Sequence, residues 1–440
     1  MSFEISAQSS QEKEVKAVDE QWYGRFEKIG SFQDYEYFEG EKKKRDEQKQ
    51  IFLAEEIRNP VLDYPKLEKF DFANKEQELF ALKRDILEHE TNDVVRSAYI
   101  WKLNEKIAQL RMMKATLDGS DKKVARYSAF IYGIPDKQIF QYDLENIKNL
   151  IEEKNNSDDV RVLFAIRRLK DLINNIDTEK SGINNEILPV KKRILEYPFV
   201  EEKKFNAEEI RKEFEVALDE LGIEGWEVVI NENIKAISVS QEKKQVKVPE
   251  KRKMTSSRLG ELIAHEIGTH VARREDGERS KLKLLGLGLD RYLNGEEGIS
   301  TFAEQSLGGA DDFAGFDGHF AISLAVGLDG EKRDFRDVFN ILRDYYFINS
   351  KNKDIAKSWE DAKNSAWNRC VRTFRGTTCN TKGACLTRDI VYREGNIDTW
   401  MVVKGNFENS SKFSIGKYDA VNPRHAWILQ QLAITGDDIE

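Results

Sequence analysis

Cysteine, histidine and proline are scarce in this chain of 440 residues, which contains three, five and seven of them. The cysteines, Cys370, Cys379 and Cys385, cannot build a disulfide framework, and their spacing fits no common zinc motif. We therefore expect buried free thiols, with a Cys379–Cys385 disulfide as the alternative. The sequence also lacks a run of about 20 apolar residues, which argues against a membrane-spanning helix. Its first residues contain no apolar signal-like core, so a cytoplasmic location is the default expectation.

Charge of one sign does not dominate the composition either. Apolar residues make up 40% of the sequence, charged residues 34%, and the formal net charge is −9. A chain of this length can bury a large core and is expected to form an acidic globular protein of two or three domains. Because no excess of positive charge is present, we expect no nucleic-acid partner.

Changes in composition along the sequence predict three segments. Residues 1–58 are polar and are expected to be partly disordered and partly helical. Residues 59–190 show helical periodicity and predict a helical layer without a chemical motif. A change of composition with prolines at 189 and 198 predicts a domain boundary within residues 182–204. Residues 191–440 follow as a second domain.

Three short β-rich stretches open this second domain, at residues 226–230, 237–240 and 245–248. Turn-like segments separate them, so we expect a small antiparallel sheet. Zinc peptidases place such a sheet just before the metal-binding helix, where an edge strand pairs with an extended peptide. The predicted fold class is therefore α+β and mostly helical, with a zincin-like catalytic half behind the N-terminal helical layer.

The helix that follows the sheet carries two of the five histidines beside a glutamate. His265, Glu266 and His270 form the pattern H-E-x-x-x-H. Ser256 or Ser257 is expected to cap this helix, and Gly277 is expected to end it. Its predicted buried stripe consists of Leu259, Leu262, Ile263, Ile267 and Val271.

Zinc peptidases use H-E-x-x-H, in which the histidines bind the metal and the glutamate is the general base. In a regular helix the additional residue would turn His270 roughly 140° away from His265, against about 40° for the shorter spacing. A π-bulge would return both rings to one face, and Gly268 would ease it. The alternative is a charged surface helix that carries two histidines by chance.

A catalytic zinc ion needs a third protein ligand, usually from a following element. The sequence N-G-E-E-G at residues 294–298 begins a second predicted helix and offers Glu296 and Glu297. We favour Glu297 as the ligand, with Glu296 as its rival. An ordinary acidic first turn of a helix is the alternative for both residues.

Three stretches together resemble the MATCAP-type family of microtubule-associated tyrosine carboxypeptidases and their bacterial relatives. They are AHEIGTHVAR at 264–273, LLGLGLDRY at 284–292 and GEEGIS at 295–300. The resemblance implies that His265, His270 and Glu297 bind zinc and that Glu266 is the catalytic base. Bacterial relatives have Q-E-G-L-A where this chain has E-E-G-I-S, and none of the changes removes a ligand.

The resemblance extends to an arginine-rich stretch. An R-x-x-R-G motif falls at residues 372–376, and a Thr-Lys-Asp segment that ends in Tyr corresponds to residues 387–392, with Arg388 in place of Lys. An enzyme that removes C-terminal residues must hold a free carboxylate, for which a guanidinium group is well suited. Arg375 is our first choice, followed by Arg372 and Arg388. Tyr392 is the expected support for the tetrahedral oxyanion. The alternative is a structural hairpin with surface arginines.

The remaining histidines are expected to have other roles. His89 lies in a polar stretch and is expected at the surface, while His425 is expected to pack near the C-terminus. His319 opens an apolar helix, where packing or capping is favoured over a hydrogen bond to the reacting oxyanion.

These features predict a zinc metallocarboxypeptidase that removes one C-terminal residue, with Glu266 assisting attack by zinc-bound water. The resemblance implies tyrosine, another aromatic residue or glutamate as the leaving residue. The expected partner is a peptide or protein tail. A basic run between residues 243 and 253 is expected to be a solvated turn, and the alternative is that it attracts an acidic tail. The alternative functions are a zinc endopeptidase and a non-catalytic, zinc-bound interaction module.

Overall fold

A computed structural model of the chain describes most of its residues. The described residues are 16–30, 32, 40–64, 67, 70–174, 183, 185–192, 194, 202–232 and 234–435. The predicted disorder at the extreme N-terminus and much of the predicted boundary at 182–204 lie outside these ranges. Among the described residues, no helix combines the length and apolar character needed to cross a bilayer.

Helices dominate the first part of the described chain, as the periodicity predicts. They are α1 (Glu20–Glu27), α2 (Lys42–Leu53), α3 (Phe72–His89), α4 (Asp93–Leu117), α5 (Asp121–Tyr132), α6 (Lys137–Lys154) and α7 (Val160–Asn174). A 3-10 turn at Asn185–Ile187 follows them.

Five short strands and a helix come next. They are β1 (Lys204–Phe205), α8 (Ala207–Glu220), β2 (Glu227–Asn231), β3 (Ser238–Ser240), β4 (Gln245–Pro249) and β5 (Met254–Thr255). Asn206 caps α8, and its side chain and that of Glu209 form a reciprocal capping box.

The rest of the described chain is helical. It contains α9 (Ser256–Leu262), a π-helical segment (Ile263–Val271), α10 (Ala272–Arg279), α11 (Leu284–Leu287), α12 (Leu293–Gly308), α13 (Phe316–Val326), α14 (Phe335–Ile348), α15 (Ile355–Thr373), α16 (Ile390–Gly405), a 3-10 segment (Phe407–Ile415) and α17 (Pro423–Gln431). The α+β, mostly helical class predicted from the sequence is confirmed.

The prediction of a purely antiparallel sheet is wrong for one of its two strand pairs. The three-stranded sheet has the order β2-β4-β3, in which β3 is antiparallel to β4 but β2 is parallel to it. Val246 and Val248 on β4 are fully buried, so β4 takes the central position, and β2 and β3 occupy the edges. A separate antiparallel pair joins β1 to β5 just before the motif helix.

The sheet, α8 and the motif helix share one hydrophobic cluster. Leu259, Leu262, Ile267 and Val271 of the predicted stripe are buried in it, while Ile263 is partly buried. Both predicted ends of the helix are wrong. Thr255 caps it instead of Ser256 or Ser257, and its hydroxyl accepts from the Arg258 amide. The helix continues through Gly277 because this glycine lets α10 lie against the backbone at Gly286.

The N-terminal helices pack directly on the helices of the second half. Phe52 of α2 stacks edge-on against Phe335 and Phe339 of α14, with ring centroids 5.1 and 4.9 Å apart. A second cluster combines residues of α3 and α4 with Leu284, Leu285 and Ile428. The helical layer therefore shares its core with the motif-bearing half, and the predicted domain limits stay a prediction.

The cysteines and the three remaining histidines are placed as expected. Cys370, Cys379 and Cys385 are buried free thiols, so the alternative disulfide is not formed. Burial raises the pKa of Cys385 to about 12, which keeps the thiol protonated and unreactive. His89 is exposed, and His319 and His425 are fully buried in packed surroundings.

Candidate active site

The H-E-x-x-x-H motif lies in the π-helical segment Ile263–Val271, which confirms the predicted widening of the helix. The ring centroids of His265 and His270 are only 4.9 Å apart. Ligand atoms of His265, Glu266 and His270 all lie within 4.8 Å of one another. The extra residue between the histidines is therefore absorbed by the wider turn, and both rings share one face.

A side chain inside the motif bridges the wider turn. The Thr269 hydroxyl donates to the carbonyl oxygen of Ala264, five residues earlier, at 2.9 Å. Gly268 is exposed, has no positive φ, and a methyl group there would find only the Ile263 oxygen, at 3.8 Å. The π geometry thus coincides with a specific threonine bond and does not depend on close packing at Gly268.

Helix α12 crosses the π-segment and brings Glu296 and Glu297 to different sides of His270. Oε2 of Glu297 lies 4.0 Å from Nε2 of His270. Oε1 of Glu296 accepts a hydrogen bond from Nδ1 of the same ring at 2.9 Å. Its second oxygen accepts from Arg273 at 2.6 Å, and Lys417 lies 3.1 Å from the first. Glu296 is thereby fully engaged away from the face that Glu297 shares with the imidazoles.

His265 is flanked in a comparable way. Nδ1 of His265 lies 2.5 Å from Oε1 of Glu304, which is also on α12. The second oxygen of Glu304 accepts from Arg258 at 2.7 Å. One helix therefore supplies a carboxylate to the Nδ1 side of each histidine, and the Nε2 atoms remain for a shared ligand. Sequence analysis missed this role of Glu304, although its spacing of seven residues from Glu297 places both on one helical face.

Glycines allow α12 to come this close to its neighbours. A side chain at Gly298 would collide with the carbonyl group of Gly395 on α16, and one at Gly395 would collide with the Asn294 carbonyl. A side chain at Gly295 would meet the backbone of residues 418–419. The glycines that flank Glu296 and Glu297 in N-G-E-E-G are thus required by backbone contact, which fixes where the two carboxylates point.

The electrostatics divide the carboxylates into two kinds. Burial raises the pKa of Glu266 against the opposing effect of His265 and His270. Burial, with Glu296 and Asp389, raises the pKa of Glu297 to about 7. Burial alone would raise the pKa of Glu296 too, but Lys417 and Arg273 outweigh it and hold that pKa well below its usual range. Two buried carboxylates poised for proton transfer or metal binding therefore face the imidazoles, which is typical of a functional site.

The arginine-rich stretch approaches the same carboxylates through Arg388. Its guanidinium lies 4.0 Å from Oε1 of Glu297, and its side chain is only 15% exposed. Tyr392 is close enough for Glu297 to add to the effect of burial, which raises the phenol pKa to about 12. Arg388 and Tyr392 therefore border the group formed by His265, His270 and Glu297.

The other predicted arginines have further partners, although Arg372 also bonds the phenol of Tyr392. Arg372 binds Asp389 with both arms of its guanidinium, at 2.8 and 3.0 Å, so its fork is already filled. Arg375 lies near Tyr64 of the N-terminal layer: burial raises the pKa of the Tyr64 phenol, and the charge of Arg375 partly opposes this effect. Arg393, in the same stretch, is fully buried against Asp143 and Asp312. Of the predicted candidates, Arg388 is the one that lies next to Glu297.

Comparison with known proteins gives one match. A family model described as microtubule-associated tyrosine carboxypeptidase covers residues 187–433, more than half of the chain. No curated protein and no solved structure matches the chain. The matched region contains the sheet, the π-segment, α12 and the arginine-rich stretch, whereas α1 to α7 precede it. The resemblance drawn from the motifs is confirmed.

Proposed function

Because the chain belongs to the microtubule-associated tyrosine carboxypeptidase family, which implies a carboxypeptidase, we propose that it is a zinc-dependent enzyme that removes single C-terminal residues. The observation that carries this proposal is the π-turn that keeps His265 and His270 on one face, beside Glu266 and opposite Glu297. π-turns of this kind are rare and are found mostly at functional sites, which supports the proposal.

The residues present fit a catalytic zinc ion. Two imidazoles and one carboxylate form a common donor set that leaves one coordination position open. Carboxylates on the Nδ1 side of both histidines fix the ring orientations and direct Nε2 toward the metal position. Glu297 is the proposed third ligand because Glu296 is held by His270, Arg273 and Lys417.

Glu266 is the proposed general base. When bound, zinc would supply a water of lowered pKa and polarise the scissile carbonyl. Glu266 takes the proton from the attacking water and returns it to the leaving amine. Its burial supports this role, because burial raises the pKa of the carboxyl group toward the range in which it can both accept and release a proton.

The arginine-rich stretch distinguishes an exopeptidase from an endopeptidase. We assign Arg388 to the C-terminal carboxylate of the substrate, because a guanidinium next to the metal-binding group would place the last peptide bond near Glu266. Tyr392 is proposed to donate to the developing oxyanion, and the raised pKa of its phenol keeps the proton available. Arg375 and Arg372 remain predictions with weaker support.

The substrate is proposed to be a peptide or protein tail, and the family description points to tyrosine as the leaving residue. An aromatic residue other than tyrosine, or glutamate, is the wider expectation from the motifs. The basic run at residues 243–253 supports an acidic tail, since Lys243, Lys251 and Lys253 are exposed.

Matched peptides test the proposal. A peptide that ends in a free tyrosine should lose that residue, and the same peptide with an amidated end should stay intact. Glu266→Gln should lower kcat by about a thousandfold or more while zinc content stays at one equivalent. Glu275→Gln is the control, because Glu275 lies on α10 and bonds to Trp226 and Lys244 outside the metal-binding group.

The alternatives give different results in the same experiment. Internal cleavage of the amidated peptide would indicate an endopeptidase. Absence of turnover in zinc-loaded protein, with unchanged zinc affinity in Glu266→Gln, would indicate the interaction module and contradict the proposed enzyme.

A further inference from the structure

Residues 374–389 connect α15 to α16 and carry both Arg375 and Arg388, and we call them the arginine loop. Four of its backbone groups are held by three residues of the N-terminal layer. The most buried anchor is Ser128 of α5, which is fully buried, as is nearly all of its partner Thr387. The Ser128 oxygen accepts from the Thr387 amide at 2.7 Å and shares a second hydrogen bond with the Thr387 hydroxyl at 2.9 Å.

The other two anchors hold the start of the loop. Asp121, the first residue of α5, accepts from the amide of Thr378 at 2.8 Å and from its hydroxyl at 2.6 Å. The Tyr64 hydroxyl accepts from the Gly376 amide at 2.8 Å and donates to the Thr377 carbonyl at 3.0 Å. These partners are 257 and 312 positions apart in the chain, so only the tertiary fold brings them together.

Apolar packing adds to these bonds. Leu386 is buried in the same hydrophobic cluster as residues of α4 and α5. Residues 386 and 387 are therefore both fixed by the N-terminal layer, and the next residue is Arg388. On its other side, Asp389 is held by Arg369 at 2.9 Å and by the fork of Arg372.

We propose that the N-terminal helical layer sets the position of the carboxylate-binding guanidinium, with Ser128 as a positioning residue that acts on Arg388 through Thr387. This inference rests on the proposed role of Arg388. All three anchors precede residue 187, where the family match begins. A region outside the matched motifs thus contributes to substrate recognition without touching the substrate.

The physical reason is the geometry of recognition. A guanidinium binds a carboxylate well only when its fork is aligned, and a misplacement of about 1 Å weakens a positioned contact strongly. Removal of the Ser128 hydroxyl would leave the buried Thr387 amide without its acceptor, and the backbone beside Arg388 would shift to satisfy it. Recognition of a C-terminal carboxylate should suffer, while binding of the rest of the peptide should not.

The experiment measures binding in zinc-loaded Glu266→Gln protein, in which cleavage is suppressed. The Kd of a tyrosine-ended peptide is compared with that of its amidated form, and the ratio of the two reports carboxylate recognition. Ser128→Ala should lower this acid-over-amide preference about tenfold. Thr387→Val, which keeps the side-chain shape and the backbone bond, should lower it by a smaller factor and serves if Ser128→Ala does not fold.

Thr116→Val is the matched control. Thr116 is also buried in the N-terminal layer, but its hydroxyl donates only to Met112 of its own helix, so the preference should be unchanged. In an Arg388→Ala background, Ser128→Ala should have no further effect, because the contact through which it acts is gone.

The two levels of the proposal fail differently. Equal weakening of acid and amide binding, or an undiminished Ser128→Ala effect without Arg388, would overturn the positioning role. An unchanged preference in folded Ser128→Ala would do the same. Failure of the proposed function would instead appear in the parent protein, as a lack of turnover before Glu266→Gln is introduced and as equal binding of the two peptides.

Discussion

The π-segment with α12 and the arginine loop both contribute to the candidate site, but they are built in different ways. The π-segment and α12 lie within residues 263–308, and their side-chain arrangement follows from helical spacings, one of which is widened by the π-turn. The arginine loop has little regular structure and is held by partners as distant as Tyr64, 312 positions away from Gly376. The first region takes its side-chain positions mainly from helical spacings, with support from Lys417 and Gly395, whereas the second is held in place by residues far away in the chain.

This contrast explains which parts of the site the sequence reveals. A spacing of five residues between His265 and His270 admits one solution that keeps both rings together, and the structure contains it. By comparison, Arg372, Arg375 and Arg388 look alike in sequence. Their difference arises because Asp389 fills the fork of Arg372, while Arg388 lies near Glu297.

Separate substitutions of the two neighbouring glutamates on α12 should give the largest effect on zinc affinity. Glu297→Ala should lower zinc affinity by more than about a hundredfold, because it removes a proposed ligand. Glu296→Gln should cost about 10–100-fold, since it weakens only the support of His270. Chelator competition with purified zinc-loaded protein measures both values. A larger loss for Glu296→Gln would reverse the two assignments.

Glu304→Gln belongs to the same comparison as a milder change. It retains the shape of the side chain beside Nδ1 of His265 but removes the charge, so zinc affinity should fall about 10–100-fold. Glu261→Gln is the control, because Glu261 bonds the same Arg258 from α9 without being the partner of His265. Equal losses in both variants would assign the effect to Arg258 and not to His265.

The corresponding arginine pair is Arg388 of the arginine loop and Arg372 near the end of α15. Arg388→Ala should raise KM for a free-acid peptide about 10–100-fold, as expected for a lost charge-assisted contact. Arg372→Ala should act mainly on stability, because it leaves the buried carboxylate of Asp389 with fewer partners. Steady-state kinetics and thermal unfolding separate the two. A KM effect confined to Arg372→Ala would restore that residue as the carboxylate binder.

The fold also divides into features with local sequence signals and features that depend on long-range partners. Amphipathic helices were predictable because their signals are local, as for the apolar stripe of the motif helix, whereas its cap was predicted at Ser256 or Ser257 and lies at Thr255. The parallel pairing of β2 with β4 was missed, because strand order depends on which strand becomes most buried. Lys417 was missed as well, since nothing near residue 417 indicates that it will reach Glu296. Long-range partners of this kind leave no periodic signal.

Close packing behind the proposed metal ligands predicts a further effect, now on stability. Gly298→Ala should lower the free energy of unfolding by about 1–3 kcal/mol, because the added methyl group collides with the Gly395 carbonyl. Gly24→Ala is the control, since Gly24 lies within α1 with nothing near the position of a methyl group. Denaturant unfolding of the metal-free proteins gives both values, and an unchanged stability in Gly298→Ala would mean that α12 can move away from α16.

The smallest effect is expected for Gly268→Ala, which distinguishes two explanations of the π-turn. If spacing and the Thr269 bond produce the widened turn, Gly268→Ala should leave zinc affinity within about twofold and raise the free energy of unfolding by up to about 1 kcal/mol. If the turn instead depends on the flexibility of glycine, the variant should lose zinc affinity together with stability. Chelator competition and denaturant unfolding distinguish these outcomes. Retained affinity would mean that the register of the two histidines, and not a weak point in the helix, encodes this half of the site.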